Sequence, residues 1–177
     1  MTLSRYNIYE EAQPHFLTIP LWMGFPLFTN SDIVMELLGS IRFTQKERKL
    51  ILYAWVVMEH HLHLIAKAPD LWKTIKEFKS YTARMIIDYL KQRRSYLWLN
   101  KLHKAKLTYK QTSTYQVWQE GSYPQQILNE EMVIQKIDYI HYNPVRRVYV
   151  EEPAYWRYSS ARYYEGEEGL LEVRTKW

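Results

Sequence analysis

The 177-residue sequence predicts an α+β domain with an antiparallel sheet and helices packed mainly on one face. The order of elements reads strand–helix–strand–strand–helix, followed by a further strand and helix. The run Trp55–Ile65 is rich in β-branched and apolar residues, as in a buried strand. From Asp70 to Tyr96 the spacing is helical, with apolar and basic residues on opposite sides. Hydrophobic residues make up 47% of the chain, enough for one substantial core and against wholesale disorder.

His15-Phe16-Leu17-Thr18-Ile19, within residues 14–21, reads as the first strand. Thr29-Asn30-Ser31-Asp32 offers capping residues for a helix through Ile33, Leu37, Leu38 and Ile41. Residues 49–57 lead towards the histidine-bearing strand, with the break between them unplaced. Within Trp55–Ile65, period two sends Glu59, His61 and His63 to one face and His60, Leu62 and Leu64 to the other. Asp70 caps a long helix ending near Tyr96. Leu71, Ile75, Phe78, Thr82, Met85, Ile86 and Tyr89 line its core side, and Lys73, Lys76, Ser80, Arg84, Lys91 and Arg94 its outer side.

Residues 99–115 are polar and read as a loop before a short strand around Tyr115–Trp118. Gly121, Ser122 and Pro124 mark a turn. The final helix points Val133, Ile137 and Ile140 to the core, with Gln135, Tyr139 and Asn143 on an adjacent polar face. One domain over residues 1–164 is expected, and the Glu165–Gly169 run opens a C-terminal tail over 165–177. No internal repeat is visible.

Lys and Arg number 24 against 19 Asp and Glu, a formal charge of +5. The acidic residues gather at Glu10-Glu11, Glu130-Glu131, Glu151-Glu152 and Glu165–Glu168, which leaves residues 67–110 basic. Such asymmetry suits a polyanionic partner. The segregated stripe of Lys73, Lys76, Arg84 and Lys91 is suited to tracking a phosphate backbone. With no cysteine, disulfides, thiolate metal sites and cysteine catalysis are excluded. No apolar run is long enough for a membrane span and residues 1–5 carry no signal-peptide core, so a cytoplasmic protein is expected.

Two segments carry chemistry. Tyr139 and Asn143 are four apart, so a phenol and an amide oxygen share one helical face, beside Arg146 and Arg147. Pro144 disfavours helical geometry at Asn143 and places the pair in a last turn. Two imidazoles at i and i+2, His61 and His63, lie roughly 6–7 Å apart on a strand, close enough to converge on one divalent ion. A nucleophile, metal ligands and a phosphate-binding cluster together suggest phosphoryl chemistry. Taken alone, any of the chain's 16 tyrosines is more often a packing residue. Tyr142, the rival nucleophile, has no Asn four residues on. His141, His103 and His15 have no partner spacing and read as ordinary residues.

Taken in order, four blocks resemble one family. Met58-Glu59-His60-His61-Leu62-His63-Leu64 is similar to the metal strand of the REP-associated tyrosine transposases, members of the HUH single-strand transposases. Tyr139-Ile140 with Asn143-Pro144-Val145-Arg146 resembles their nucleophile helix. Val117-Trp118-Gln119-Glu120-Gly121 and Tyr155-Trp156-Arg157-Tyr158-Ser159-Ser160-Ala161 resemble the two remaining signatures. The likeness spans roughly positions 14 to 164.

The resemblance implies a ferredoxin-like HUH domain with the histidine strand central. It further implies a transposase that cleaves and rejoins single-stranded DNA, near hairpins, through a 5′-phosphotyrosine intermediate. Tyr139 would be the nucleophile, and His61, His63 and Asn143 would hold Mg²⁺ or Mn²⁺. Where the family has Pro and Asn, this chain has Glu59 and His60. Glu59 is read as an added metal ligand, a shift in metal preference or a strand-edge charge, and His60 as structural. Arg146, Arg147 and Arg157 are expected on DNA phosphate, and Trp118, Trp156 and Trp72 as stacking platforms for unpaired bases. A monomer and a homodimer are both compatible with the sequence. Two other readings stay open: a domesticated module that holds structured DNA or RNA without cleaving it, and a relaxase-like nickase.

Overall fold

A computed structural model describes residues 13–106 and 113–176. The acidic pair Glu10-Glu11, the N-terminal residues 1–5 and the part of the expected loop from 107 to 112, Lys110 included, lie outside the described residues. The chain runs β1 (His15–Pro20), α1 (Ser31–Arg48), β2 (Ile51–Met58), β3 (His61–Lys67), α2 (Leu71–Gln92), α3 (Tyr96–Lys104), β4 (Gln125–Gln126), α4 (Glu130–His141), α5 (Asn143–Arg146) and α6 (Ala161–Tyr164). The sheet order is β2-β3-β1-β4, every pair is antiparallel, and the histidine strand β3 is internal.

Strand alternation divides the side chains between two faces. Leu17, Ile19, Trp55, Val57, Leu62 and Leu64 point to the face covered by α1, α2 and α3, where Leu37, Leu38, Ile75, Phe78, Leu99 and Leu102 complete the larger core. Phe16, Ala54, Val56, Met58 and Ile65 point the other way, against Val133, Ile137 and Ile140 of α4. The expected antiparallel α+β architecture is therefore present, with three helices on one face and α4 on the other.

The helix starts follow their caps. The Asn30 side chain accepts from the backbone N–H groups of Asp32 and Ile33, Asp70 from that of Lys73, and Asn129 from that of Met132. Four expectations need correcting. Trp55–Ile65 is a hairpin, not one strand: β2 ends at Met58, Glu59 and His60 form the turn, and Met58 pairs with His61. No Gly, Asn or Pro marks that turn, and the apolar runs on either side hide it. The long helix stops at Gln92, short of Tyr96. Residues 99–104 of the expected loop instead belong to α3, which buries Leu99 and Leu102. The strand expected at Tyr115–Trp118 reduces to a single bridge between Leu21 and Trp118.

The C-terminal segment closes the outer edge of the sheet. The Val57 N–H donates to the Tyr158 carbonyl and the Ser160 N–H to the Trp55 carbonyl. Further on, the Arg174 N–H donates to the Leu52 carbonyl, and Leu171 and Val173 are buried in the larger core. These contacts give β2 the hydrogen-bond partners that an edge strand otherwise lacks.

Candidate functional site

The site lies on the α4 face of β3. Because β1 pairs with β3 so that Thr18 faces His63, the Thr18 hydroxyl lies 3.0 Å from His63 Nδ1. His61 Nδ1 lies 3.3 Å from His60 Nδ1. On both histidines Nδ1 is thus engaged, which assigns Nε2 to any external ligand. The two rings stand 4.5 Å apart between centroids. Burial pushes the His61 imidazole down to about 4, helped by the neighbouring His60, and the His63 imidazole down to about 3, helped by His61. Both are therefore neutral at physiological pH, the form a metal ion requires.

Tyr139 sits in the last turn of α4. Pro144 has no N–H to continue the helical ladder, so α4 stops and α5 opens at Asn143. Tyr139 is 41% exposed, yet its ring meets His63 edge-on at 5.4 Å and Phe16 at 5.8 Å. Phe16 in turn stacks on His63 at 5.3 Å. Asn143 is 9% exposed, at the break between the two helices. Tyr142 is exposed and has no ring contact with either histidine among the described residues. The guanidinium of Arg146 lies 5.4 Å from the Tyr139 ring centroid, and its Nη1 donates to the Tyr139 carbonyl.

No three His, Cys, Asp or Glu side chains converge as a metal group among the described residues. Two neutral imidazoles nevertheless fit a divalent ion, with a further protein ligand supplied by a group of another kind, such as an amide oxygen. Glu59 leaves the position expected for it, because it lies in the hairpin turn and not on the strand face. Its Oε1 is 3.1 Å from Arg147 Nη1 and 3.2 Å from His60 Nδ1. Burial opposes ionisation of Glu59, but its own backbone, Tyr149, His60 and Arg147 outweigh burial and lower the pKa overall. Arg147 is thereby committed to a carboxylate, while Arg146 faces the tyrosine.

The basic residues Lys73, Lys76, Arg84 and Lys91 are exposed on α2, across the sheet from Tyr139. Lys76 and the exposed Trp72 line a groove of about 520 Å³ between α2 and residues 113–122. Trp118 is not available for stacking. It is 5% exposed, packs against Phe28 and Phe78, and donates its indole N–H to Thr82 Oγ1 at 3.1 Å. Trp156 is half-buried, stacks on Tyr149 and donates to the Val57 carbonyl. Arg157 is exposed. Ser160 Oγ accepts from the Trp55 N–H and lies 2.8 Å from His141 Nε2, so the Ser159-Ser160 signature fastens the sheet edge to α4. Sequence reading missed Thr18, visible only through strand register, and Lys136, whose ammonium lies 4.7 Å from the Phe16 ring centroid.

The family described as "Transposase IS200 like" matches residues 25–119, more than half of the sequence. The chain belongs to that family. The match includes the histidine strand and the basic helix and ends before Tyr139. A REP-associated tyrosine transposase, solved bound to a REP hairpin, has the same fold, with a TM-score of 0.65 at 20% identity. The alignment covers 97% of this chain and 92% of that one. No curated protein matches the sequence. This family member has no helix, among the described residues, long and apolar enough to cross a membrane.

Proposed function

We propose that this IS200-like transposase cleaves and rejoins single-stranded DNA beside hairpins, through a covalent 5′-phosphotyrosine on Tyr139. The observation that carries the reading is the placement of Tyr139: exposed, at the end of its helix, and 5.4 Å from the ring of a buried neutral histidine. His61, His63 and the Asn143 amide oxygen would hold Mg²⁺ or Mn²⁺. Such an ion, when bound, polarises the scissile phosphate. Glu59 falls outside this ligand set because Arg147 holds its carboxylate.

Tyr139 Oη forms a bond to phosphorus as the bond to the 3′ oxygen breaks; the phenolic proton passes to solvent and the released 3′ oxygen takes one up. A 3′-OH from another strand reverses the step and conserves the bond energy. Arg146, over the Tyr139 ring, contacts the incoming strand. Across the sheet, Lys73, Lys76, Arg84 and Lys91 hold duplex phosphates of the hairpin stem, with Arg157 as a further phosphate contact. The solved neighbour's REP hairpin supports this class of partner. The protein works in the cytoplasm as a single domain, whose larger core also takes in Leu171 and Val173 of the segment after residue 164.

The test is incubation with single-stranded hairpin DNA copied from beside the gene, with Mn²⁺ or Mg²⁺. A covalent protein–DNA adduct is expected, abolished by chelation and reduced by more than about 10³-fold in Tyr139→Phe. Binding that ignores the metal, without adduct on any flanking hairpin, would instead identify a non-cleaving module acting through α2.

A further inference from the structure

Two cations flank Tyr139, and only one of them lies in the motif that carries the family resemblance. Arg146 is the first. The second is Lys136, three residues before Tyr139 and therefore on the same side of α4. Its ammonium is 4.7 Å from the centroid of Phe16, the ring that stacks on His63 and meets Tyr139 edge-on. The tyrosine, the buried histidine and the lysine therefore all pack around one aromatic ring.

Among the described residues, four arginines are neutralised by carboxylates. Arg48 pairs with Glu77, Arg93 with Asp32, Arg147 with Glu59 and Arg162 with Glu167. Lys136 is half-buried and pairs with no carboxylate among the described residues. An ammonium steadied by a ring face and lacking a counter-ion keeps its donors for an external anion. The anion that the proposed chemistry brings to Tyr139 is a phosphodiester.

We propose that Lys136 is a further catalytic residue, which binds a non-bridging oxygen of the phosphate that Tyr139 attacks. This rests on the transposase reading above. As the Tyr139 Oη–phosphorus bond forms and the bond to the 3′ oxygen breaks, charge collects on the equatorial oxygens. The ammonium donates an N–H to one of them and keeps its own proton. The phenolic proton leaves to water and the 3′ oxygen is protonated from water, so the lysine is an electrostatic partner and not a base.

The test compares single-turnover adduct formation by the full chain and by Lys136→Met, which leaves the stem over Phe16 and removes the charge. The probe is a hairpin oligonucleotide from beside the gene, in Mn²⁺, carrying either the natural phosphodiester or a neutral methylphosphonate at the cleaved link. The substitution is expected to slow the phosphodiester reaction about 10²-fold. On the methylphosphonate the difference should shrink to about threefold, because the charge that Lys136 meets is gone. Lys136→Arg should recover most of the rate. An equal slowing on both probes overturns the role of Lys136 and leaves the transposase reading standing. A wild-type protein that forms no adduct on either probe overturns both.

Discussion

The two faces of the sheet are built from the same strands and differ in what they carry. The face under α1, α2 and α3 is a continuous apolar core running from Leu17 to Val173. The Trp118 indole N–H is paired inside it on Thr82, while the Trp55 indole nitrogen is buried there without a hydrogen-bond partner among the described residues. The face under α4 has a smaller cluster, and beside it β3 presents His61 and His63 where another sheet would present aliphatic groups. One short helix covers that face and ends at His141, just before the Asn143-Pro144 break, so the rim stays open for an exposed Tyr139. Period two lets adjacent residues of one strand serve the two purposes: Leu62 fills the large core and His63 builds the site.

The largest test of that division changes those two neighbours. Leu62→Ala removes a fully buried side chain and should cost about 2–5 kcal/mol of stability, read from urea denaturation. Its adduct formation should fall only with the folded fraction. His63→Ala should cost less than half as much stability while lowering adduct formation by more than about 10²-fold in fully folded protein. Equal stability losses, with activity tracking unfolding in both, would break the comparison.

The larger core was readable in advance because its residues repeat. The α2 stripe of Leu71, Ile75, Phe78, Thr82 and Ile86 has the helical period, and all five are buried. The histidine pair and the α4 face were also readable, since each is fixed within one element. Contacts between elements were not. Thr18 meets His63 through strand register, Lys136 meets Phe16 through the docking of α4, and Glu59 meets Arg147 because two residues between apolar runs form a turn. Period counting carried Glu59 onto the metal face because nothing in Glu59-His60 signals a hairpin. Trp118 was ambiguous for a different reason: an indole suits a base platform and a core equally well until its burial is known.

Acid should damage the α4 face first. His61, His63 and His141 all lie there, and burial holds them at about 4, 3 and 4 respectively, below the value of 6.5 for an exposed imidazole. Above pH 6.5 both folded and unfolded forms are neutral and nothing is lost. Below it the unfolded chain takes up protons that the folded one refuses. Stability then falls by about 1.4 kcal/mol per pH unit for each histidine, until the folded values are reached. Denaturation midpoints should therefore drop steeply between pH 6.5 and pH 4. Burial lowers His15 as well, so His141→Gln, remote from the ligand pair, should make that slope shallower by roughly a quarter. An unchanged slope would remove His141 from the acid response.

The smallest effect concerns strain on the same side of the molecule. Val148 follows α5 with φ at 59°, a left-handed conformation that is unusual for a β-branched residue, and it is 89% exposed. The turn is nevertheless well bonded: the Val148 N–H donates to the Val145 carbonyl and the Tyr149 N–H to the Pro144 carbonyl, the pattern that usually places glycine here. It directs Arg147 to Glu59 and the Tyr149 ring onto Trp156. Val148→Gly should relieve about 1–2 kcal/mol of backbone strain and add back part of that as unfolded-state entropy, for a net gain of about 0.5–1 kcal/mol in a thermal melt. A loss of stability would mean that the valine side chain itself holds the turn, and the strain would then have to be offset by contacts that an 89% exposed residue has little surface left to make.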